Sequence, residues 1–91
     1  MSRLTELSIQ ALDKWGKDTQ ILKAVCELNE LSLALLHYRE GKTTEEEVLT
    51  EIADVTIMLR QLELTFHFLE GELKAEIERK LNNLESILNK Q

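Results

Sequence analysis

The chain has 91 residues, with no proline, three glycines and one cysteine; 43% of the residues are hydrophobic and 31% are charged. This length allows one small domain, and the composition is typical of a helical globular protein. The net charge of -6 argues against general nucleic-acid binding, which needs a surface rich in basic residues. The same charge disfavours docking to anionic membranes. Because Cys26 cannot form an internal disulfide, no signal peptide is recognisable and no apolar run is long enough to span a membrane, we expect a cytoplasmic protein.

The first two helices are delimited by glycines at which the apolar period breaks. We predict a first helix from about Arg3 to Trp15, which ends before Gly16. Asp18 is the predicted N-cap of a second helix, which continues to about Glu40. A turn at Gly41 then separates the second helix from the third.

The third and fourth helices follow the same logic. Thr44-Glu45-Glu46-Glu47 has the spacing of a capping box, which predicts the start of a third helix that reaches about Leu69 or Glu70. Gly71 allows a break before a fourth helix, predicted over about 72–89. Because no linker separates these segments, residues 1–91 are predicted to form a single all-α domain of four helices.

The third helix carries apolar residues on two sides. One arc contains Glu51 at a position where an apolar residue would fit the pattern; its apolar members are Val48, Ile52, Val55, Met58, Leu59, Leu62 and Phe66. A second stripe, Ile57, Leu64 and Phe68, points away from the first. Helices that are apolar on two sides usually bury both, so we expect the subunits to associate.

Two pairs of acidic residues lie on the second and third helices. Glu27 and Glu30 are three residues apart, as are Glu51 and Asp54, so each pair shares one helix face. If the helices fold back antiparallel about residues 41–43, the four carboxylates converge at one level. Such a cluster repels itself unless a cation binds, and hard oxygen ligands favour Mg²⁺, Mn²⁺ or Ca²⁺. Solvated acidic helix faces remain the alternative.

The same pairs and their context resemble the MazG-like nucleotide pyrophosphohydrolases of the all-α NTP pyrophosphatase group. The resemblance extends over about residues 12–62 and rests on Lys14-Trp15-Gly16, Gln20, the Glu27-x-x-Glu30 pair and Glu51-x-x-Asp54-Val55. It implies a MazG-like domain that forms a dimer or a dimer of dimers. It also implies Mg²⁺-dependent hydrolysis of a nucleoside triphosphate to the monophosphate and pyrophosphate, with Mn²⁺ as a substitute and Glu27, Glu30, Glu51 and Asp54 as metal ligands.

Three further residues have two interpretations each. Glu47 is a weak candidate for an outer-shell carboxylate or catalytic base, against a solvated position in the capping box. Trp15 is a candidate for stacking on the nucleobase, or else a core anchor. Lys80 resembles the phosphate-binding lysine on the last helix of the family, or is a solvated lysine. Leu84 and Glu85 depart from the family pattern that follows this lysine.

Two alternatives to the enzyme remain open. The first is a helical-bundle interaction protein without catalytic activity, whose acidic residues are solvated. A degenerate pyrophosphatase homologue would instead bind nucleotide without efficient turnover. Pyrophosphate release with Mg²⁺ separates the enzyme from both, and nucleotide binding without turnover identifies the degenerate homologue.

Overall fold

The computed structural model describes residues 1–66 and 71–90 of the chain. Their secondary structure consists of four α-helices without a strand, which confirms the predicted all-α fold: α1 (Arg3–Trp15), α2 (Lys17–Arg39), α3 (Glu45–Thr65) and α4 (Glu72–Leu88). Within these residues, no helix combines the length and the apolar character needed to cross a membrane.

The junction of α1 and α2 depends on Gly16. Its φ of 86° lies in a region that glycine adopts without strain, and its backbone N–H donates to the Leu12 carbonyl at the end of α1. The same glycine is the N-cap residue of α2, which begins at Lys17 without a side-chain cap. The predicted Asp18 cap is therefore wrong: the direction of the chain changes at Gly16, and Asp18 already lies in the first turn of the helix.

The turn between α2 and α3 is held at both ends by side chains. The Tyr38 hydroxyl near the end of α2 donates to Glu45 Oε1 at the start of α3, over 3.0 Å. Thr44 Oγ1 accepts a hydrogen bond from the backbone N–H of Glu47 over 3.2 Å, which confirms the predicted N-cap of α3. The helix ends at Thr65, earlier than predicted, and Leu69 and Glu70 lie outside the described residues.

Helices α2 and α3 form an antiparallel hairpin, and α1 packs against both. At the end of the hairpin that is far from its turn, Gln20 Nε2 donates to Gln61 Oε1 over 2.6 Å, and both side chains are buried. Among the described residues the buried apolar core is small and consists of Ala24, Ala34, Val55 and Met58. Burying two amides beside so few apolar side chains is tolerable because a hydrogen bond joins them.

The predicted apolar arc of α3 is wider than the face that is buried. Val55 and Met58 are buried, whereas Ile52, Leu59 and Phe66 remain about half exposed. The difference arises because only α1 and α2 cover α3, and polar residues such as Gln61 share the buried face. In the second stripe, Ile57 is half exposed and Leu64 is half-buried, while Phe68 lies outside the described residues.

Helix α1 runs parallel to α3. Near its start, Thr5 Oγ1 accepts a hydrogen bond from Arg60 Nε over 2.9 Å. Farther along, Leu12 of α1 shares a cavity with Leu64 and Thr65 of α3. Later residues of α1 therefore lie beside later residues of α3, and the start of α1 lies beside the middle of α3.

Helix α4 packs against none of the other three helices in the described part of the chain, and none of its residues is buried. The radius of gyration is 16.1 Å, against about 12 Å for a compact domain of this length. The compact unit is therefore the bundle of α1, α2 and α3, and α4 adds an amphipathic helix outside it.

Candidate metal centre

Three of the four predicted carboxylates lie together. Glu27 of α2 and Glu51 and Asp54 of α3 each offer one carboxylate oxygen, and these three atoms lie within 4.8 Å of one another. The antiparallel pairing of α2 and α3 brings the two helix faces to the same level. On α3, the spacing of three residues aims Glu51 and Asp54 in similar directions.

Two of these carboxylates have an oxygen without a partner. Glu27 Oε2 and Glu51 Oε2 are buried, and neither has a hydrogen-bond partner among the described residues. The other oxygen of Glu27 lies 3.4 Å from Lys23 Nζ, one turn earlier on the same helix. Buried carboxylate oxygens are normally paired, so these two leave the cluster incomplete within the described residues.

The electrostatics of the cluster raise the pKa of the Glu51 carboxyl. Burial of the carboxylate makes the largest contribution, and the negative charges of Glu30, Asp54, Glu47 and Glu27 add to it in that order. All of these causes disfavour the charged form. A bound cation would favour the charged form instead, because it attracts each of the carboxylates that now repel one another.

The donor set fits a hard divalent cation. All of its ligand atoms are carboxylate oxygens, the type that Mg²⁺ prefers, and oxygens on opposite sides of one Mg²⁺ are roughly 4 Å apart. The three carboxylate oxygens lie within 4.8 Å of one another, so side-chain movements would be needed to bring all of them to one ion. Mg²⁺ usually retains several waters, so three carboxylates leave positions for water and for substrate phosphates.

Glu30, the fourth predicted ligand, lies outside this group of three. It lines a neighbouring cavity of about 200 Å³ together with Glu51. Glu51 therefore faces both this cavity and the cluster of three carboxylates. Glu30 is one helical turn nearer to the hairpin turn than Glu27, which explains why it reaches the cavity. Its charge still acts on the cluster, because it is the largest charge contribution to the raised pKa of Glu51.

The cavity also brings together residues that the sequence analysis did not assign to the site. Glu47, the weak candidate base, lines it together with His37 and Thr43. His37 follows Glu30 by seven residues, or two helical turns, so helical periodicity alone could have placed it on the acidic face.

The remaining predicted residues lie away from the carboxylates within one subunit. Trp15 is 53% exposed, with Lys14 Nζ 5.5 Å from the centre of its ring, so it is not a core anchor of this subunit. It lies at the end of α1 that is farthest from Asp54. Lys80 is exposed on α4, which packs against no other described helix. Gln20 has a structural position in its buried hydrogen bond with Gln61.

Comparison with protein-family models, with curated proteins and with solved structures finds no match for this chain.

Proposed function

We propose that this protein is a Mg²⁺-dependent nucleoside triphosphate pyrophosphohydrolase, which releases pyrophosphate and leaves the nucleoside monophosphate. The observation that carries the proposal is the pair of buried, unpartnered oxygens of Glu27 and Glu51 beside Asp54. This arrangement of carboxylate oxygens supports a divalent-cation site. The resemblance of the acidic pairs to MazG-like enzymes supplies the reaction.

The proposal assigns roles to residues at two adjacent sites, the carboxylate cluster and the cavity beside it. Glu27, Glu51 and Asp54 would hold Mg²⁺, or Mn²⁺ in its place. When bound, the cation neutralises phosphate oxygens and makes a bound water easier to deprotonate. Glu47 and His37 line the cavity beside Glu51, where they would orient an attacking water and accept its proton. Glu30 adds the charge that keeps this region selective for cations.

The proposed assembly is a homodimer or homotetramer. Helix α4 presents an apolar stripe that has no partner among the described residues, and its members Leu73, Ile77, Leu81, Leu84 and Leu88 are 37–70% exposed. A second copy of the chain is the occupant that we assign to this stripe, because a monomer would leave it in water. Docking of α4 is also what the proposed phosphate contact of Lys80 requires.

The same stripe favours the second candidate function, a helical interaction protein without catalysis. A degenerate homologue that binds nucleotide without efficient turnover lies between the two. These candidates differ from the first in one measurable respect, since neither releases pyrophosphate at a useful rate when Mg²⁺ and nucleotide are both supplied.

The central test measures pyrophosphate release from a panel of ribo- and deoxynucleoside triphosphates with Mg²⁺. We expect Glu51→Gln to lower the activity by orders of magnitude, because it removes a metal ligand and keeps the shape of the side chain. Glu46→Gln is the matched control: it removes the same charge from an exposed position on the same helix and should retain activity. An active Glu51→Gln variant with a normal Mg²⁺ requirement would contradict the proposed site.

Metal binding is tested separately through thermal stability. Mg²⁺ or Mn²⁺ that binds the folded state should raise the melting temperature of the wild type with increasing concentration. Glu51→Gln should weaken this response, while Glu46→Gln should reproduce it. Melting curves that do not move at millimolar concentrations of either ion would remove the physical basis of the metal assignment.

A further inference from the structure

A second cavity, of about 340 Å³, lies between the start of α1 and the middle of α3. Its lining consists of Arg3, Leu4, Leu7, Ser8, Ile57 and Gln61. The volume is in the range of small-molecule sites, and apolar walls around a few polar groups are the usual composition of such sites. None of these residues belongs to the metal cluster.

Ser8 is the feature that distinguishes this cavity. It is 1% exposed, and its hydroxyl oxygen is buried without a hydrogen-bond partner among the described residues. A helical serine ordinarily bonds to a carbonyl of the preceding turn or points to water. A buried hydroxyl that does neither destabilises the folded protein by its desolvation penalty, unless a group that enters the cavity forms a hydrogen bond with it.

The position of the cavity relates it to the carboxylates. Asp54, Ile57 and Gln61 follow the i, i+3, i+7 spacing of one face of α3. Gln61 is seven residues from Asp54, which is roughly 10 Å along the helix. Because α1 is parallel to α3, Arg3 stands at the end of the cavity that is nearer to Asp54, and Ser8 lies at its far end.

We propose that this cavity binds the nucleobase of the triphosphate, a proposal that rests on the proposed function. A base has apolar faces and an edge of hydrogen-bond donors and acceptors, and buried sites read it through both. Leu4, Leu7 and Ile57 supply the apolar contact. The Ser8 hydroxyl and the Gln61 amide supply partners for the edge. Arg3 faces the phosphates, which extend along α3 toward the metal.

The assignment places the base nearer to the carboxylates than Trp15 is. Trp15 lies at the opposite end of α1, between Asp13 and Lys17, which line another cavity together with Leu64 and Thr65. A single triphosphate in one subunit can therefore bridge the cavity and the metal cluster, whereas Trp15 is too far along the helix pair to serve the same molecule. Stacking on Trp15 and binding at Ser8 thus make different predictions.

The test uses free nucleosides without metal, so that it does not depend on turnover. Adenosine, guanosine, cytidine, uridine and thymidine are titrated into ¹⁵N-labelled protein. We expect at least one of them to shift the backbone amide of Ser8 and the side-chain amide of Gln61. Ser8→Ala should weaken this binding roughly three- to tenfold, the range expected for one neutral hydrogen bond.

A pair of matched variants tests the location. Ile57 and Ile52 are 45% and 46% exposed on the same helix, but only Ile57 lines this cavity. Ile57→Trp should fill the cavity and abolish nucleoside binding, while Ile52→Trp should leave it unchanged. Nucleosides that shift no resonance at Ser8 or Gln61, or that shift Trp15 instead, would overturn the proposal. A change in molar mass for Ile57→Trp with nucleoside binding intact would identify an interface between copies and would also overturn it.

Failure of this inference is distinguishable from failure of the proposed function. If triphosphates are cleaved and Ile57→Trp retains the wild-type kcat/KM, the cavity is not the base site although the enzyme is confirmed. If nucleosides bind at Ser8 and no triphosphate is cleaved, the base site is confirmed and the hydrolase is not.

Discussion

Glu51 is the residue at which burial and charge act together. Its Oε2 atom is buried without a hydrogen-bond partner in the described part of the chain, and four other acidic residues contribute to its raised pKa. A solvated surface glutamate would show neither property. The position inside a largely apolar helix face therefore has a physical explanation if a cation binds there, and it carries an uncompensated cost if none does.

The first prediction concerns the stability of the metal-free protein. Because folding raises the pKa of Glu51, the folded state binds this proton more tightly than the unfolded state does. The resulting stabilisation is fully present below the unfolded-state pKa and is lost as the pH rises through the folded-state pKa. Above the raised pKa the wild type has lost it, and there Glu51→Gln, which carries no charge, should be equally or more stable.

Denaturant unfolding in the presence of a chelator, at several pH values, measures this difference. The advantage of Glu51→Gln should shrink as the pH falls through the raised pKa, because the wild-type carboxyl is then neutral as well. Glu46→Gln should show no gain at neutral pH, since Glu46 is exposed and favours the start of the helix. A Glu51→Gln variant that is less stable than the wild type at neutral pH would contradict the argument.

At the scale of the elements, the α2–α3 hairpin determines which carboxylates meet. Its register is held by the Gln20–Gln61 hydrogen bond in the bundle and by the Tyr38–Glu45 hydrogen bond across the turn. Thr44 fixes the start of α3 through the N–H of Glu47, whose side chain lines the acidic cavity. The cap and the candidate site are therefore connected through one helical turn.

The second prediction concerns this cap. Thr44→Ala removes the oxygen that accepts the Glu47 N–H and should lower the free energy of unfolding by about 1 kcal/mol. Thr50→Ala is the control, because Thr50 lies in the interior of α3, where its hydroxyl donates to the Glu46 carbonyl. Alanine favours helix interiors, so Thr50→Ala should be neutral or slightly stabilising. If both changes lower the free energy of unfolding equally, the Thr44 cap makes no specific contribution to stability.

The sequence predicted the end of α1 and the start of α3 because local signals determine them: a glycine at which the apolar period breaks, and a capping box. It failed at Asp18, because the positive φ of Gly16 replaces a side-chain cap and depends on the geometry of the whole junction. Similarly, spacing placed each acidic pair on one face, but only the register of two helices shows that Glu27 joins Glu51 and Asp54 while Glu30 faces the cavity. Ser8 gave no signal, since one serine in an amphipathic helix has no pattern.

At the scale of the whole molecule, α4 is the part that one subunit does not explain. Its polar face includes an ion pair between Glu76 and Arg79, and its apolar stripe has no partner among the described residues. From Ile77 to Leu88 the apolar residues alternate between spacings of four and three, which is the spacing of a coiled-coil seam. A helix with this pattern gains stability chiefly by burying the seam, so we expect another helix to cover it.

The last prediction is that a second copy of the chain provides this partner. Light scattering at micromolar concentration should give a molar mass of twice or four times 10.5 kDa for the wild type. Leu84→Glu places a charge in the seam and should shift the mass toward that of the monomer, because burying an unpaired charge is costly. Asn83→Glu adds the same charge at the adjacent position on another face and should leave the assembly intact. A wild type that remains monomeric would contradict self-association, and a Leu84→Glu variant that assembles like the wild type would show that α4 does not form the interface.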